Sequence, residues 1–262
     1  LLSVVSAWIT ARLAGARLWI HVQDFEVEAA LATGLMDPSG IAARLGRWVE
    51  ARLLKLGDVV STISPQMGAK LVEKGIAPAR VHQLRNWAEA AFVPDAAGAA
   101  ALRRQWGLEG RIVALYSGNI ARKQGIEILI EAARELAARQ DIAFVICGEG
   151  PNRTALEKQA EGLGNVLLRD LQPAERMGAM LAMADLHLLP QIAGAADLVL
   201  PSKLTNMLAS ARPVIATTLP GTGLYDEVDG CGAIVPPGDA AALARAIAAL
   251  ADDADRVRLL GE

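Results

Sequence analysis

Short apolar runs rich in β-formers alternate with helical stretches along most of this chain. IVALYSG (112–118), IAFVICG (142–148), VLLR (166–169), LHLLP (186–190), PVIAT (213–217) and GAIVPP (232–237) are separated by amphipathic segments at 124–139, 151–162, 173–183 and 239–251. Such alternation fits a parallel sheet whose two faces are both covered by helices, because a parallel strand needs a crossover to reach its neighbour. The fold class is therefore α/β. A shorter series precedes it: a helix at 1–14, strand RLWIHV (17–22), a helix at 41–56, strand DVVSTIS (58–64), a helix at 65–74 and VHQL (81–84). Pro94, Asp95 and Gly98 break the periodicity between the two series. We therefore expect one domain over residues 1–94 and a second over 95–262.

Composition narrows the function classes. Apolar residues make up 53% and charged residues 21% of the 262, which is globular and far from disordered. A net charge of −3 argues against nucleic acid held by a general basic surface. Residues 1–90 nevertheless hold 10 Lys/Arg against 8 Asp/Glu, a weak pointer to an anionic or membrane-surface partner. Helix 41–56 places Ile41, Leu45, Trp48 and Val49 on one side and Arg44, Arg47, Arg52 and Lys55 elsewhere. The ordinary reading turns that apolar side to the core, and the sharper one lays it on anionic lipid. Two cysteines and three histidines fit neither a disulfide framework nor a zinc site. No apolar run approaches the ~20 residues of a membrane span. The start at Leu1 without Met and the end at LLGE read as a piece of a longer protein in a reduced, cytoplasmic setting.

Ligands of open α/β sheets gather where strands end and helices begin. Three loops of the second series qualify. YSGNIARKQG (116–125) offers Gly118 for a tight turn, with Arg122 and Lys123 at the next helix start. CGEGPNR (147–153) offers glycines for a close backbone approach, but lacks the dinucleotide spacing. The stretch 190–217 contains Pro201 and Ser202, read as a first-turn proline and a capping side chain, followed by Lys203 as a mobile cation. Helix N-termini with added cations favour a nucleoside diphosphate. His21, with Gln23 and Asp24, ends a strand of the first domain, whereas His187 sits between leucines and reads as a core residue. No nucleophile elbow or Walker loop occurs.

Read together, YSGNIARKQGIEILIEAA, FVICGEGPNR, LHLLPQIAGAADLVLPSKLTNMLASARPVIAT and CGAIVPPGD resemble the retaining glycosyltransferases of family 4, most closely the colanic acid biosynthesis type. HVQDFEVEAA, STIS and LRNWAEAAFVPD carry the likeness through the first domain. The resemblance implies a GT-B fold of two Rossmann-like domains, the first incomplete at about 90 residues where roughly 150 are usual. It also implies a UDP- or GDP-sugar donor, no cofactor or metal, and a lipid-linked saccharide acceptor at the inner face of the plasma membrane; peripheral contact with anionic lipid is the expectation from the basic bias and helix 41–56. By the same resemblance Arg122, Lys123 and Lys203 neutralise the leaving diphosphate, and His21 and Asp24 stand near the acceptor. Donor contacts fall to Gly118, Asn119, Gly148, Glu149, Gly150, Leu171, Asp197, Ser202, Lys203 and Asn206. One departure is plain. The family carries two glutamates with seven residues between them, and here Leu198 and Asn206 take those places, leaving Asp197 as the nearby acid. A sugar-nucleotide epimerase of the same fold, using Asp24 and Asp197, and a donor-binding piece without turnover are the alternatives.

Overall fold

The computed structural model describes residues 3–32, 36–88, 93–121, 124–192 and 200–261. They form two compact units, one reaching Asn86 and taking in Leu200, the other beginning at Trp87.

The first unit runs α1 (Ser3–Leu13), β1 (Trp19–Val22), α2 (Glu26–Ala32), α3 (Ile41–Leu54), β2 (Val59–Thr62), α4 (Pro65–Glu73) and β3 (Val81–Gln83). Its three strands pair in parallel in the order β1-β2-β3. A small core of Ile20, Val22, Phe25, Leu54, Val60, Ile63, Met67 and Leu71 holds helices to the sheet. Helix α4 starts as its sequence dictates. Ser64 sits in extended backbone and its hydroxyl accepts from Met67 N at 3.2 Å, while Pro65 occupies the first turn, where its missing N–H costs nothing.

Helix α3 corrects the ordinary reading of segment 41–56. Its inward residues are Ala43, Glu50 and Leu54. Ile41, Leu45 and Trp48 point away, 84%, 57% and 57% exposed. The reason is a buried ion cluster. Lys74, just past α4, bonds Glu50 Oε2 at 2.6 Å and also Glu28 of α2, and its ammonium lies 5.0 Å from the centroid of the Phe25 ring. A fully enclosed carboxylate is tolerable only when paired, and this pairing fixes which side of α3 faces inward.

The second unit continues with α5 (Ala96–Gln105), β4 (Ile112–Ser117), α6 (Glu127–Glu135), β5 (Ile142–Cys147), α7 (Arg153–Ala160) and β6 (Val166–Arg169). Then come α8 (Met177–Ala182), β7 (Leu186–Leu189), α9 (Lys203–Ala209), β8 (Val214–Thr217), α10 (Gly223–Val228), β9 (Gly232–Val235), α11 (Ala240–Ala251) and α12 (Ala254–Gly261). All six strands are parallel, in the order β6-β5-β4-β7-β8-β9. Alternate residues of β4 serve opposite faces. Val113 and Leu115 pack with Leu102 and Met180, whereas Ala114 and Tyr116 pack with Leu129, Phe144 and Ile247. Each large side chain removed from water here contributes about 1.5–3 kcal/mol, which is why the strands read as unbroken apolar runs. The order reverses between β4 and β7, the crevice where open sheets of this topology bind ligands.

Candidate functional site

Two loops of the second unit are zipped together at that reversal. Beyond the ends of β4 and β5, Gly118 N donates to Cys147 O at 2.9 Å and Ile120 N to Glu149 O at 2.7 Å. Asn152 N then donates to Ile120 O at 3.1 Å. The glycines of CGEG make this possible. A Cβ on Gly148 would overlap the Gly118 carbonyl oxygen, and one on Gly150 would overlap that of Ile120. The close approach expected at Gly148 and Gly150 is thus made by the neighbouring loop. We expect Gly148→Ala to cost about 3 kcal/mol, since two backbones must part to admit the methyl. Gly118→Ala should cost less, since its nearest obstacle is a side-chain atom, Lys203 Nζ at 3.4 Å, rather than a backbone oxygen. Urea unfolding of the two variants checks the order; equal stabilities would refute it.

Arg153 braces the same loops. Its guanidinium donates to the carbonyl oxygens of Gly148 and of Arg169, at 3.1 Å for the latter. It also meets Glu157 at 2.9 Å, Asp170 at 2.8 Å and Glu149 at 3.3 Å. Arg153 closes the CGEGPNR stretch, where its role is not evident from the glycines beside it. Its acidic neighbours four residues before and after were the available signal.

Among the described residues the cation beside these loops is Lys203, and its side chain is packed on the protein. Its Nζ rests 4.0 Å from the centroid of the Tyr116 ring, and a methyl on Gly118 would lie 3.4 Å from it. Tyr116 is itself buried and donates its hydroxyl to Asn119 O at 2.7 Å. Burial pulls the Lys203 pKa down to about 7. Within an apolar run Tyr116 looked like one more strand residue, and only its polar tip distinguished it.

Ser202 does not cap α9. It has helical backbone angles, φ −58° and ψ −26°, and makes no capping bond from its side chain. Instead, Leu204 N donates to Pro201 O at 3.0 Å and Thr205 Oγ1 to Ser202 O at 2.8 Å. The order of the dipeptide decides the matter. Ser64-Pro65 puts serine before the first turn, whereas Pro201-Ser202 draws serine into it. Helix α9 is also only seven residues long, and Glu127 rather than a described cation opens α6, its carboxylate taken by Asn152 at 3.0 Å. Among the described residues, the positive character of this edge therefore rests on the Lys203 side chain more than on helix dipoles.

Asn206 lies one turn beyond Lys203, its amide nitrogen 3.7 Å from Met177 Sδ and its buried Oδ1 without a partner. That orphaned acceptor suits a hydroxyl donor. Leu171, after β6, is 62% exposed, and the Glu149 carboxylate is largely exposed. Arg122, Lys123 and Asp197 lie outside the described residues. In the first unit His21 is exposed, bonded through Nδ1 to Ser61 Oγ and through Nε2 to Gln23, both at 2.8 Å, with Asp24 exposed nearby in sequence. His187 is a core residue on Ser210 Oγ at 2.8 Å, and its pKa falls to about 3 from burial, then from Arg212. Cys147 and Cys231 are free thiols. Among the described residues no three His, Cys, Asp or Glu are grouped to hold a metal, and no helix is long and apolar enough to cross a membrane. A cavity of about 500 Å³ opens at the other end of the sheet, between Ile112, Leu186, Arg212 and α12, away from these loops.

Residues 111–253 match the family model of glycosyl transferases group 1, and residues 1–87 match that of a glycosyl transferase 4-like domain. The chain belongs to the glycosyl transferases of group 1. This group 1 chain is 41% identical over 246 residues to the putative colanic acid biosynthesis glycosyl transferase WcaI of Escherichia coli K12, covering 87% of the chain and 60% of WcaI. It is 29% identical over 253 residues to the alpha-D-kanosaminyltransferase of Streptomyces kanamyceticus, covering 94% of the chain and 64% of that enzyme. The chain thus spans about three fifths of the length of these relatives. Among solved structures, Anabaena HepE in complex with UDP superimposes with a TM-score of 0.80 at 18% identity, over 98% of this chain and 69% of HepE. WaaG, a glycosyltransferase involved in lipopolysaccharide biosynthesis, gives 0.73 at 16% identity, over 93% and 68%. The fold of this group 1 member is GT-B-like, with a parallel sheet in each unit.

Proposed function

We propose that the second unit binds a UDP- or GDP-sugar and that the whole protein is a retaining, metal-independent glycosyltransferase of family 4 in exopolysaccharide assembly of the colanic acid kind. The acceptor is a lipid-linked oligosaccharide, met at the inner face of the plasma membrane through peripheral contact with anionic lipid. The observation that carries this reading is the Lys203 ammonium held beside the Gly118 loop at the sheet's order reversal. A diphosphate there exchanges a π-face for charge-assisted bonds, which are the stronger contact. Arg122 and Lys123 share the departing charge. The unpartnered Asn206 Oδ1 accepts from a ribose hydroxyl where the family uses a carboxylate, and Asp197 serves the donor sugar. His21 and Asp24 act on the acceptor side. Catalysis of this kind is positioning plus stabilisation of the leaving group. The UDP complex of HepE and the name of WcaI agree with donor class and pathway.

A thermal-shift panel of UDP, GDP and their sugars tests the donor. A ligand that binds only the native state raises the melting temperature, by mass action. A rise with one nucleotide and its sugars is expected, and no rise with any of them would sink the reading. Product analysis with and without a saccharide acceptor separates transfer from epimerisation, which needs none.

A further inference from the structure

We infer that Met177 is a positioning residue of the donor site: its sulfur sets which way the Asn206 amide points, and so makes the site demand a hydroxyl donor on the ribose. The inference rests on the proposed reading of the second unit as a nucleotide site.

An asparagine side chain has two polar ends of opposite hydrogen-bonding sense. The carbonyl oxygen only accepts, the amino group only donates, and the two are close to equal in size. Which end faces a ligand is therefore decided by what the other end meets. The Asn206 amide nitrogen lies 3.7 Å from Met177 Sδ, within reach of an N–H···S bond. A thioether has lone pairs and no proton, so it can receive the amino group but has nothing to offer the carbonyl oxygen. Turning the amide over would set two electron-rich atoms against each other. The sulfur is itself held, because Met177 opens α8 and its side chain packs against the core shared by Leu115 and Met180.

The consequence falls on Oδ1. It is buried, and among the described residues it has no partner. An enclosed acceptor in that state is costly, and only a donor relieves it. Asn206 stands three residues after Lys203 on α9, so the two side chains leave one side of the helix with Cβ atoms about 5–6 Å apart. A nucleoside diphosphate has that kind of span between its phosphates and its ribose hydroxyls. With the diphosphate on Lys203, a hydroxyl that meets Oδ1 must donate. An aspartate at this place would need no orienting neighbour, since both its oxygens accept. Asparagine needs one, and Met177 supplies it.

The test uses ligands that differ in one proton. Titration calorimetry compares UDP with its 2′-fluoro and 3′-fluoro analogues, and GDP with its own, because fluorine is small, keeps lone pairs and has no proton to give. At one of the two positions the parent should bind the hydroxyl form about tenfold or more tighter. Met177→Leu keeps the volume, is usually tolerated, and removes the lone pairs. The amide can then turn its amino group to the ligand, and the preference should fall to about threefold or less. In the Asn206→Asp background the preference should be strong and Met177→Leu should leave it unchanged, because a carboxylate has no end to turn. Equal preferences in the parent and Met177→Leu would overturn the inference. So would the same fall in the Asn206→Asp background, where it could reflect only altered packing. Nucleotide binding by the parent with no preference over any fluoro analogue also overturns it, and leaves the donor reading standing. If the parent binds neither UDP nor GDP, the donor reading fails and this inference with it.

Discussion

Replacing Lys203 with Met should weaken UDP or GDP binding about tenfold to a hundredfold, the worth of one bond to a charged group, while leaving the fold intact. Methionine keeps an unbranched apolar stem against Tyr116 and removes only the ammonium. The parent chain should also show a pH signature that the variant lacks. Burial holds Lys203 near pKa 7, so above that pH the site is increasingly a neutral amine. A diphosphate binds best to the ammonium, hence binding takes up a proton and affinity falls as pH rises from 7 to 9. Stability moves the other way. Between about 7 and the ordinary value of 10.5 the unfolded chain carries the proton and the folded one does not, so this group raises stability as pH increases through that window. Titration calorimetry at pH 7, 8 and 9 reads the first effect. Equal affinities of parent and variant would remove Lys203 from the anion site, whereas a parent profile flat in pH would show that its ammonium stays charged throughout that range.

How much of this was legible in the sequence depends on whether the signal was local. The six-stranded sheet declared itself through apolar runs, because strands buried on both faces have no polar alternation to blur them. The loops after β4 and β5 and the Lys203 segment were found by the same logic, since strand ends with glycine and a cation are local facts. What escaped was pairwise. Gly148 is required by the Gly118 carbonyl oxygen across the loop, and Lys203 is packed on Tyr116, far away in the chain. Ser202 is of the right type for a cap but stands after its proline, and Ser64-Pro65 in the same protein shows what the opposite order does. Helix α3 misled for a deeper reason. Amphipathicity assigns the inward face to apolar residues, and nothing in its own pattern says that Glu50 will be buried.

That burial leads to the second large effect. Lys74→Met should destabilise the first unit by about 3–5 kcal/mol near pH 8, because it leaves Glu50 and Glu28 facing each other with no cation between them. Glu50 is 1% exposed. Burial already raises its pKa against the opposing pull of Lys74, while Lys74 has its own raised by Glu28 and Glu50 in spite of burial. Without Lys74 the Glu50 pKa rises further. A folded-state pKa above the unfolded one means stability that is present at low pH and lost as pH climbs, so the deficit of Lys74→Met should be smaller at pH 5 than at pH 8. Adding Glu28→Gln and Glu50→Gln to Lys74→Met should recover most of the loss, since no unpaired charge then remains buried. Hydrogen exchange of peptides from α3 and α4 reads the first unit separately from the second. A loss below about 1 kcal/mol, or one that grows on acidification, would show that the cluster is not what orients α3. The same experiment bears on the outward face. If Glu50 is the anchor, then α3 freed of it should expose its inward side, and the outward arrangement of Ile41, Leu45 and Trp48 is held in place by a salt bridge on the opposite side of the helix.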